Sequence, residues 1–303
     1  MIRMSKYLII NADDFGMCRG ANLAVMDLFK DPQSALTSST IMAPCAWAPE
    51  AAQFAKENPE LGIGVHWTFT SEWSKYRWAP VGASNTDPLR DEDGFFYHES
   101  DQVEINADID EIEAECRAQI ERLKKLGLTN PSHVDNHMGS IYGIETGRFE
   151  LLNVAFDIAS EYGLPFRFPK ILPDEVFDNT MLEIKVDKEM VKGLLSNIVS
   201  YADMKGVAIP DYLIPNEWGG PQDNSYNDFK EYIYELYRNF PDDAVTETYM
   251  HPSLETDDLK GTTGSWQRRV WEYQLLKDPQ TKQHIESLGF KLINYRDLAN
   301  MKK

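Results

Sequence analysis

The sequence predicts an α/β protein, a single distorted (β/α) barrel of the TIM-like type with mostly parallel strands, spanning residues 1–303 as one domain. Three observations predict this class. Short apolar runs alternate with helical stretches almost to the C-terminus, which is typical of βα units. Eight of these runs have the length of strands, and eight strands fit a (β/α)8 barrel. A length of 303 residues is compatible with one barrel unit.

The strands are predicted from apolar runs that stand between helical stretches. The first four are KYLIINAD, LTSSTIMAP, LGIGVHWTF and SHVDNHMG. The last four are LPFRFP, DYLIP, AVTETYMHP and FKLINYRDL.

Helices are predicted where apolar residues recur at three- and four-residue steps. The clearest covers about 108–126, where Ile112, Cys116, Ile120 and Leu123 follow this spacing and Gly127 marks the end. The other predicted helices cover about 17–30, 48–57, 148–162, 187–203, 226–239 and 265–288.

The segment 68–107 departs from the alternation, because no helix follows the third strand directly. It is rich in Trp, Gly, Pro and Asp, and includes Trp73, Tyr76 and Trp78. We therefore predict a long aromatic-rich insertion after the third strand. Loops of such length are usually functional or disordered.

The charge balance narrows the class of partner. Lys and Arg number 30 against 49 Asp and Glu, a net charge of -19, which disfavours binding to nucleic acid or to an anionic membrane surface. The three cysteines have no paired spacing, so a reducing compartment is expected. The N-terminal segment lacks the pattern of an export signal, and no apolar run is long enough to cross a membrane. We expect a cytoplasmic protein with a small-molecule substrate.

Polar residues close four of the predicted strands. His66, His137 and His251 end the third, fourth and seventh strands, and Asp13 and Asp14 end the first. A single His or Asp at such a place is more often a cap, but the carboxyl ends of parallel strands converge on one crevice. Two adjacent carboxylates there need a cation or hydrogen-bond donors, and a divalent metal would supply the charge.

Spacing limits which residues share one ion. His133 and His137 lie four residues apart, so on an extended strand they are roughly 13 Å apart and cannot both bind. His137 is nearer the mouth, and His133 is expected to lie deeper. One carboxylate with two imidazoles is the layout of a hydrolytic metal centre, in which one Asp binds the ion and its neighbour faces the attacking water.

Several short motifs resemble those of the YdjC-like carbohydrate deacetylases. They are NADDFG, GIGVHWTFT, SHVDNHMG, TYMHP and LINYRDL, in the same order from about residue 5 to residue 298. The resemblance implies a distorted (β/α) barrel, one divalent metal ion and removal of acetyl groups from N-acetylated amino sugars or oligosaccharides. Two imidazoles favour Zn²⁺ as the ion, and the resemblance also admits Mg²⁺.

The resemblance also implies roles at matching positions. Asp14, His66 and His137 match the metal ligands. Asp13 matches the base that activates water, and His251 matches the acid that protonates the leaving nitrogen.

Further residues are expected around this centre. Glu247 is a candidate partner for His251. Asp135 is expected to orient a ligand from below, with a plain structural hydrogen bond as the alternative. Trp67, Arg167 and Trp218 are expected to contact the substrate. His133, like Asp135, is expected to support the ligands from behind. For Arg167 the alternative is a surface salt bridge, and the aromatic rings could either stack on sugars or pin the long segment to the barrel.

Two other functions stay open at this point. A metal-dependent sugar isomerase or lyase would need a Lys or a second acidic base at the strand ends, which the sequence does not offer. A carbohydrate-binding or regulatory barrel without turnover would be favoured by loss of Asp13, Asp14 or a ligand histidine, and all are present. A homodimer is compatible with the sequence. Many members of the resembling family carry further histidines where this chain has Met138 and Gly139.

Overall fold

A computed structural model describes residues 6–82, 86–173 and 188–302. Within these ranges seven strands form one sheet, in the order β4-β3-β2-β1-β6-β5, and β7 also pairs with β1. Every strand pair is parallel. The strands are β1 Lys6–Phe15, β2 Ser38–Ile41, β3 Gly62–Trp67, β4 Val134–Asn136, β5 Tyr212–Leu213, β6 Val245–Met250 and β7 Phe290–Leu292.

The helices follow the strands in the predicted alternation. They are α1 Arg19–Lys30, α2 Ala48–Glu57, α3 Ser100–Asn106, α4 Ile109–Leu126, α5 Glu150–Glu161, α6 Lys188–Met204, α7 Tyr226–Arg238, α8 Asp257–Thr262, α9 Trp266–Lys277, α10 Pro279–Ser287 and α11 Tyr295–Met301. The helix predicted at 265–288 is in fact α9 and α10, divided at Pro279, because proline has no N–H for the helical ladder. Residue 187 of the helix predicted at 187–203 lies outside the described residues. None of the described helices is both long and apolar enough to cross a membrane.

β1 is the centre of the sheet. Residues Tyr7–Ala12 pair with β6 on one edge, while the other edge pairs first with β7 and then with β2. Leu8 and Ile10 pack on the side of α7, α9 and α10, whereas Ile9 packs on the opposite side. Both faces are covered, which explains the unbroken apolar run at the start of this strand.

The predicted α/β class with a parallel sheet is confirmed, but a closed eight-stranded barrel is not. The sheet is a curled half-barrel. The predicted strand LPFRFP appears as one isolated bridge between Val134 and Phe166, and DYLIP yields only Tyr212–Leu213. LPFRFP contains Pro165 and Pro169, and DYLIP ends at Pro215 directly after Pro210, and because proline cannot donate to a strand ladder it keeps both segments short.

The segment between β3 and α4 is part of the main core. Phe69, Trp78 and Phe96 are buried in the same hydrophobic cluster as Trp67 and the apolar face of α4. The buried carboxylate of Glu115 on α4 accepts backbone N–H groups at 81 and 82. A separate aromatic-rich insertion is therefore not confirmed for the described part of this segment.

Candidate metal centre

A bulge in β1 brings the two adjacent carboxylates into one buried site. Between Ala12 and Phe15 the strand advances three residues while β2 advances two, so β1 carries one extra residue. Asp14 adopts a left-handed backbone conformation with φ 63°. Asp is among the residues that tolerate this region best. The exposed fractions of Asp13 and Asp14 are 4% and 1%, so both carboxylates need partners inside the protein.

Asp14 and two of the strand-end histidines converge on one point. Asp14 Oδ1 lies 3.5 Å from His66 Nε2 and 3.4 Å from His137 Nδ1. This oxygen is buried and has no hydrogen-bond partner among the described residues. Ligand atoms about 2.1 Å from a tetrahedral metal ion lie about 3.4 Å apart, which matches both separations. The three side chains therefore fit a divalent metal ion.

Each of these histidines is held from its far nitrogen by a carboxylate. His66 Nδ1 lies 2.7 Å from Asp135 Oδ1, and His137 Nε2 lies 3.1 Å from Glu72 Oε2. A carboxylate that accepts the far N–H leaves the near nitrogen as a lone pair for a metal. Sequence spacing pointed to Asp135 as such a partner. It gave no signal for Glu72, which lies 65 residues from His137 along the chain.

The carboxylates of the site shift the pKa values of its histidines. Burial lowers the pKa of His66, but Asp135 and Asp14 outweigh it and raise that pKa to about 10. Burial likewise opposes the charged form of His137, yet Glu72 and Asp14 raise its pKa to about 9. Burial acts to raise the pKa of Asp14, but Arg269 and the two histidines hold it well below the usual range. The site thus attracts either protons or a cation.

A second group of possible ligands, Asp13, His66 and Asp135, already has a cation beside it. Arg167 donates to both oxygens of Asp13 at 2.7 Å and lies 3.0 Å from Asp135 Oδ2. Its Nε donates to Glu247 Oε1 at 2.8 Å. Burial acts to raise the pKa of Asp135, but Arg167 and His66 lower it. Since the guanidinium supplies the positive charge here, the group containing Asp14 fits a metal better.

Arg167 is only 2% exposed, so the alternative of a surface salt bridge is wrong. The guanidinium orients the carboxylate of Asp13 from inside the protein. Contact between Arg167 and substrate stays a prediction.

His251 follows β6 at the same edge of the sheet, with its side chain 20% exposed. Its backbone N–H donates to Glu272 Oε2 at 2.6 Å, and its Nδ1 lies 3.9 Å from the same oxygen. Burial lowers the pKa of His251 to about 4, although Asp14 acts in the opposite direction. Burial raises the pKa of Glu272 to about 7.

The expectation that Glu247 holds His251 is wrong. Glu247 is bound by Arg167 and by the hydroxyl of Tyr295. Along an extended strand, four residues separate Glu247 from His251 by roughly 13 Å. The carboxylate near His251 is Glu272 of α9.

The remaining predicted residues occupy different depths. Trp67 is completely buried, and its indole N–H donates to the carbonyl of Cys116 at 3.1 Å, which leaves no ring face for a ligand in this structure. Trp218 is half-buried, with its ring edge-on to His251 at 5.4 Å. His133 is buried and stacked on Tyr295 at 3.8 Å, and burial lowers its pKa to about 3. The sugar contact predicted for Trp67 is therefore wrong, because its ring is completely buried, whereas the substrate role of Trp218 stays a prediction.

Sequence reasoning missed three charged residues around the centre. Arg269 Nη1 donates to Asp14 Oδ2 at 2.7 Å, from a helix 255 residues away along the chain. Glu72 contacts His137, and Glu272 contacts His251. Met138, which follows His137, is 44% exposed, so an apolar side chain stands at the mouth.

Comparisons with known proteins agree with this architecture. A carbohydrate deacetylase from Clostridium beijerinckii is 28% identical over 96% of this chain and 99% of its own length. A chitooligosaccharide deacetylase from Yersinia enterocolitica is 26% identical over 97% of this chain and all of its own length. A crystal structure from Enterococcus faecalis V583, of a protein proposed to cleave cellobiose phosphate, is 27% identical, with a TM-score of 0.72 and coverage of 97% and 99%. The sequence profile of the YdjC-like proteins matches residues 7–287. The chain belongs to the YdjC-like protein family.

Proposed function

We propose that this protein is a metal-dependent hydrolase that removes acetyl groups from N-acetylated amino sugars or oligosaccharides. The observation that carries the proposal is the convergence of Asp14 Oδ1, His66 Nε2 and His137 Nδ1, with the oxygen buried and lacking a hydrogen-bond partner. The relatives named carbohydrate deacetylase, which align over nearly the whole chain, support the reaction and the substrate class.

Asp14, His66 and His137 would hold the ion. A divalent metal bound there polarises the acetyl carbonyl and lowers the pKa of a water molecule beside it. Two imidazole ligands favour Zn²⁺, while the resemblance to the family also admits Mg²⁺. Asp135 and Glu72 keep the near nitrogens of the two histidines directed at Asp14.

Asp13 is the proposed base. It adjoins Asp14 in the bulge, and both of its oxygens are fixed by Arg167. In the proposed reaction Asp13 takes a proton from the water molecule whose oxygen bonds to the acetyl carbon. Arg167 keeps the carboxylate in one orientation, which limits the reorganisation that this proton transfer needs.

His251 is the proposed acid. As the carbon–nitrogen bond breaks, it gives a proton to the sugar nitrogen, so acetate and a free amine result. With a pKa of about 4, His251 is neutral at pH 7 and must acquire that proton during the reaction. Glu272, whose Oε2 lies 3.9 Å from His251 Nδ1, would place a carboxylate beside the imidazolium once that proton has arrived. Trp218 stands beside His251, where its ring could contact the sugar.

Acetate release from a panel of N-acetylated mono- and oligosaccharides tests the proposal. Activity should appear with Zn²⁺ or Mg²⁺, disappear with a chelator and return when metal is restored. Absence of acetate from every sugar, with the metal restored, would favour a binding protein or a lyase instead.

A further inference from the structure

We propose that Glu72 is a positioning residue of the metal centre, which fixes the ring of His137 so that Nδ1 faces Asp14. This inference rests on the proposed function, because it takes Asp14, His66 and His137 as metal ligands. It assigns a role to a residue of the segment between β3 and α4 that no motif singled out.

The contact leaves one productive ring orientation. His137 Nε2 lies 3.1 Å from Glu72 Oε2, while Nδ1 lies 3.4 Å from Asp14 Oδ1. Rotating the ring by 180° would put a carbon atom at each of these positions. The ring is also enclosed edge-on by His66 at 5.3 Å and Trp78 at 6.2 Å. Packing therefore limits the ring to its plane, and the bond to Glu72 selects the nitrogen that faces Asp14.

Glu72 differs from Asp135, the carboxylate on the other histidine. Asp135 is completely buried in β4 and is held by Arg167 and Thr40 as well as by His66. The side chain of Glu72 is 18% exposed. Among the described residues, its carboxylate is hydrogen-bonded to the side chain of His137. A fixed network thus orients His66, whereas a residue at the rim of the site orients His137.

The backbone at Glu72 is held in place by the same segment. Its carbonyl oxygen lies 3.2 Å from His98 Nδ1, and His98 Nε2 lies 3.0 Å from Arg77 Nη1. Arg77 in turn donates to Asp91 at 2.7 Å. This chain of contacts fixes the position from which the carboxylate of Glu72 reaches His137.

Charge and hydrogen bonding act in the same direction on metal affinity. A carboxylate that accepts the far N–H makes the near nitrogen more basic and so a stronger metal ligand, and its negative charge attracts the cation. Removing such a partner typically weakens metal binding by about 10–100-fold. E72Q keeps an acceptor oxygen and loses the charge, whereas E72A loses both. The expected order of affinity is wild type, then E72Q, then E72A.

Titration of the chelator-stripped full chain with Zn²⁺ alone, against a chromophoric chelator, measures these affinities without substrate. E72A should bind about 10–100-fold more weakly than wild type, with E72Q between them. D93A is the matched control, because Asp93 is an acidic residue of the same segment, is exposed, and has a side chain that takes no part in the contacts running from Glu72 to Asp91. Its affinity should equal that of wild type. Circular dichroism of each metal-free variant checks the fold, and E72Q, which is nearly isosteric, carries the test if E72A does not fold.

The outcomes separate this proposal from the proposed function. Wild-type affinity in E72A, or in E72Q if that variant alone folds, would refute the role of Glu72 and leave the metal centre intact. An equal loss in D93A would assign the effect to the charge or packing of the whole segment and would also refute it. A wild-type chain that binds no divalent ion would refute the metal centre itself, and this is visible before any variant is compared.

Discussion

The metal-free protein should lose stability as pH rises, because His137 loses its proton. The pKa of this residue is about 9 in the folded protein, against an ordinary value of 6.5. A pKa that is raised on folding stabilises the protein fully below the unfolded value, and the stabilisation disappears as pH rises through the folded value. The contribution of His137 should therefore be complete below about pH 6.5 and gone above about pH 9.

The magnitude follows from the size of the shift. One pKa unit corresponds to about 1.4 kcal/mol, so a rise from 6.5 to about 9 contributes about 3 kcal/mol. The side chain of His137 is only 7% exposed, so little of this is lost to solvent screening.

The assay is urea unfolding of wild type and H137Q, both in chelator, from about pH 6 to about pH 10. Glutamine does not titrate, so the free-energy difference between the two proteins isolates the histidine from other titrating groups. That difference should fall by about 3 kcal/mol across the range. A difference that stays constant with pH would refute the proposed pairing of His137 with Glu72 and Asp14.

Three further predictions address the remaining members of the site. D13N should keep its metal content and lose about 10²–10⁴-fold in kcat, because Asp13 is the proposed base; near-normal acetate release would remove it from the mechanism. H66A and H137A should lower the metal content found by elemental analysis, and unchanged content in both would exclude the ligand set. R167M should lower the free energy of unfolding by about 3–5 kcal/mol, because it leaves buried carboxylates without a counter-charge. The control R117M removes an ion pair whose arginine is 37% exposed, and should lose about 0–1 kcal/mol; equal losses in the two variants would contradict the difference.

The sequence predicted the parallel α/β class and the residues that meet at its edge. Alternating apolar runs and helical stretches require parallel strands, and the carboxyl ends of such strands share one crevice. This is why Asp14, His66 and His137, far apart in the chain, could be grouped before any coordinates. The prolines in LPFRFP and DYLIP were also visible, and they explain why these runs form only short pairings.

Local spacing also held information about Trp67. Neighbouring residues of a strand face opposite sides, so Trp67 cannot share the side of His66. Its burial in the core follows from this alternation. The same alternation argues against a sugar contact at Trp67.

Only the tertiary structure decided how the site is completed. The bulge and the left-handed backbone at Asp14 depend on pairing with β2, and Arg269 reaches Asp14 across 255 residues of sequence. Glu72 and Glu272 come from a long segment and a late helix, whose positions no periodicity encodes. Backbone hydrogen bonding forms the strands and helices, and their apolar residues recur in a regular pattern that shows in the sequence. The approximate ends of the strands can therefore be predicted. The charges that orient the ligands and shift their pKa values act through space, so their identity emerges only when the chain is folded.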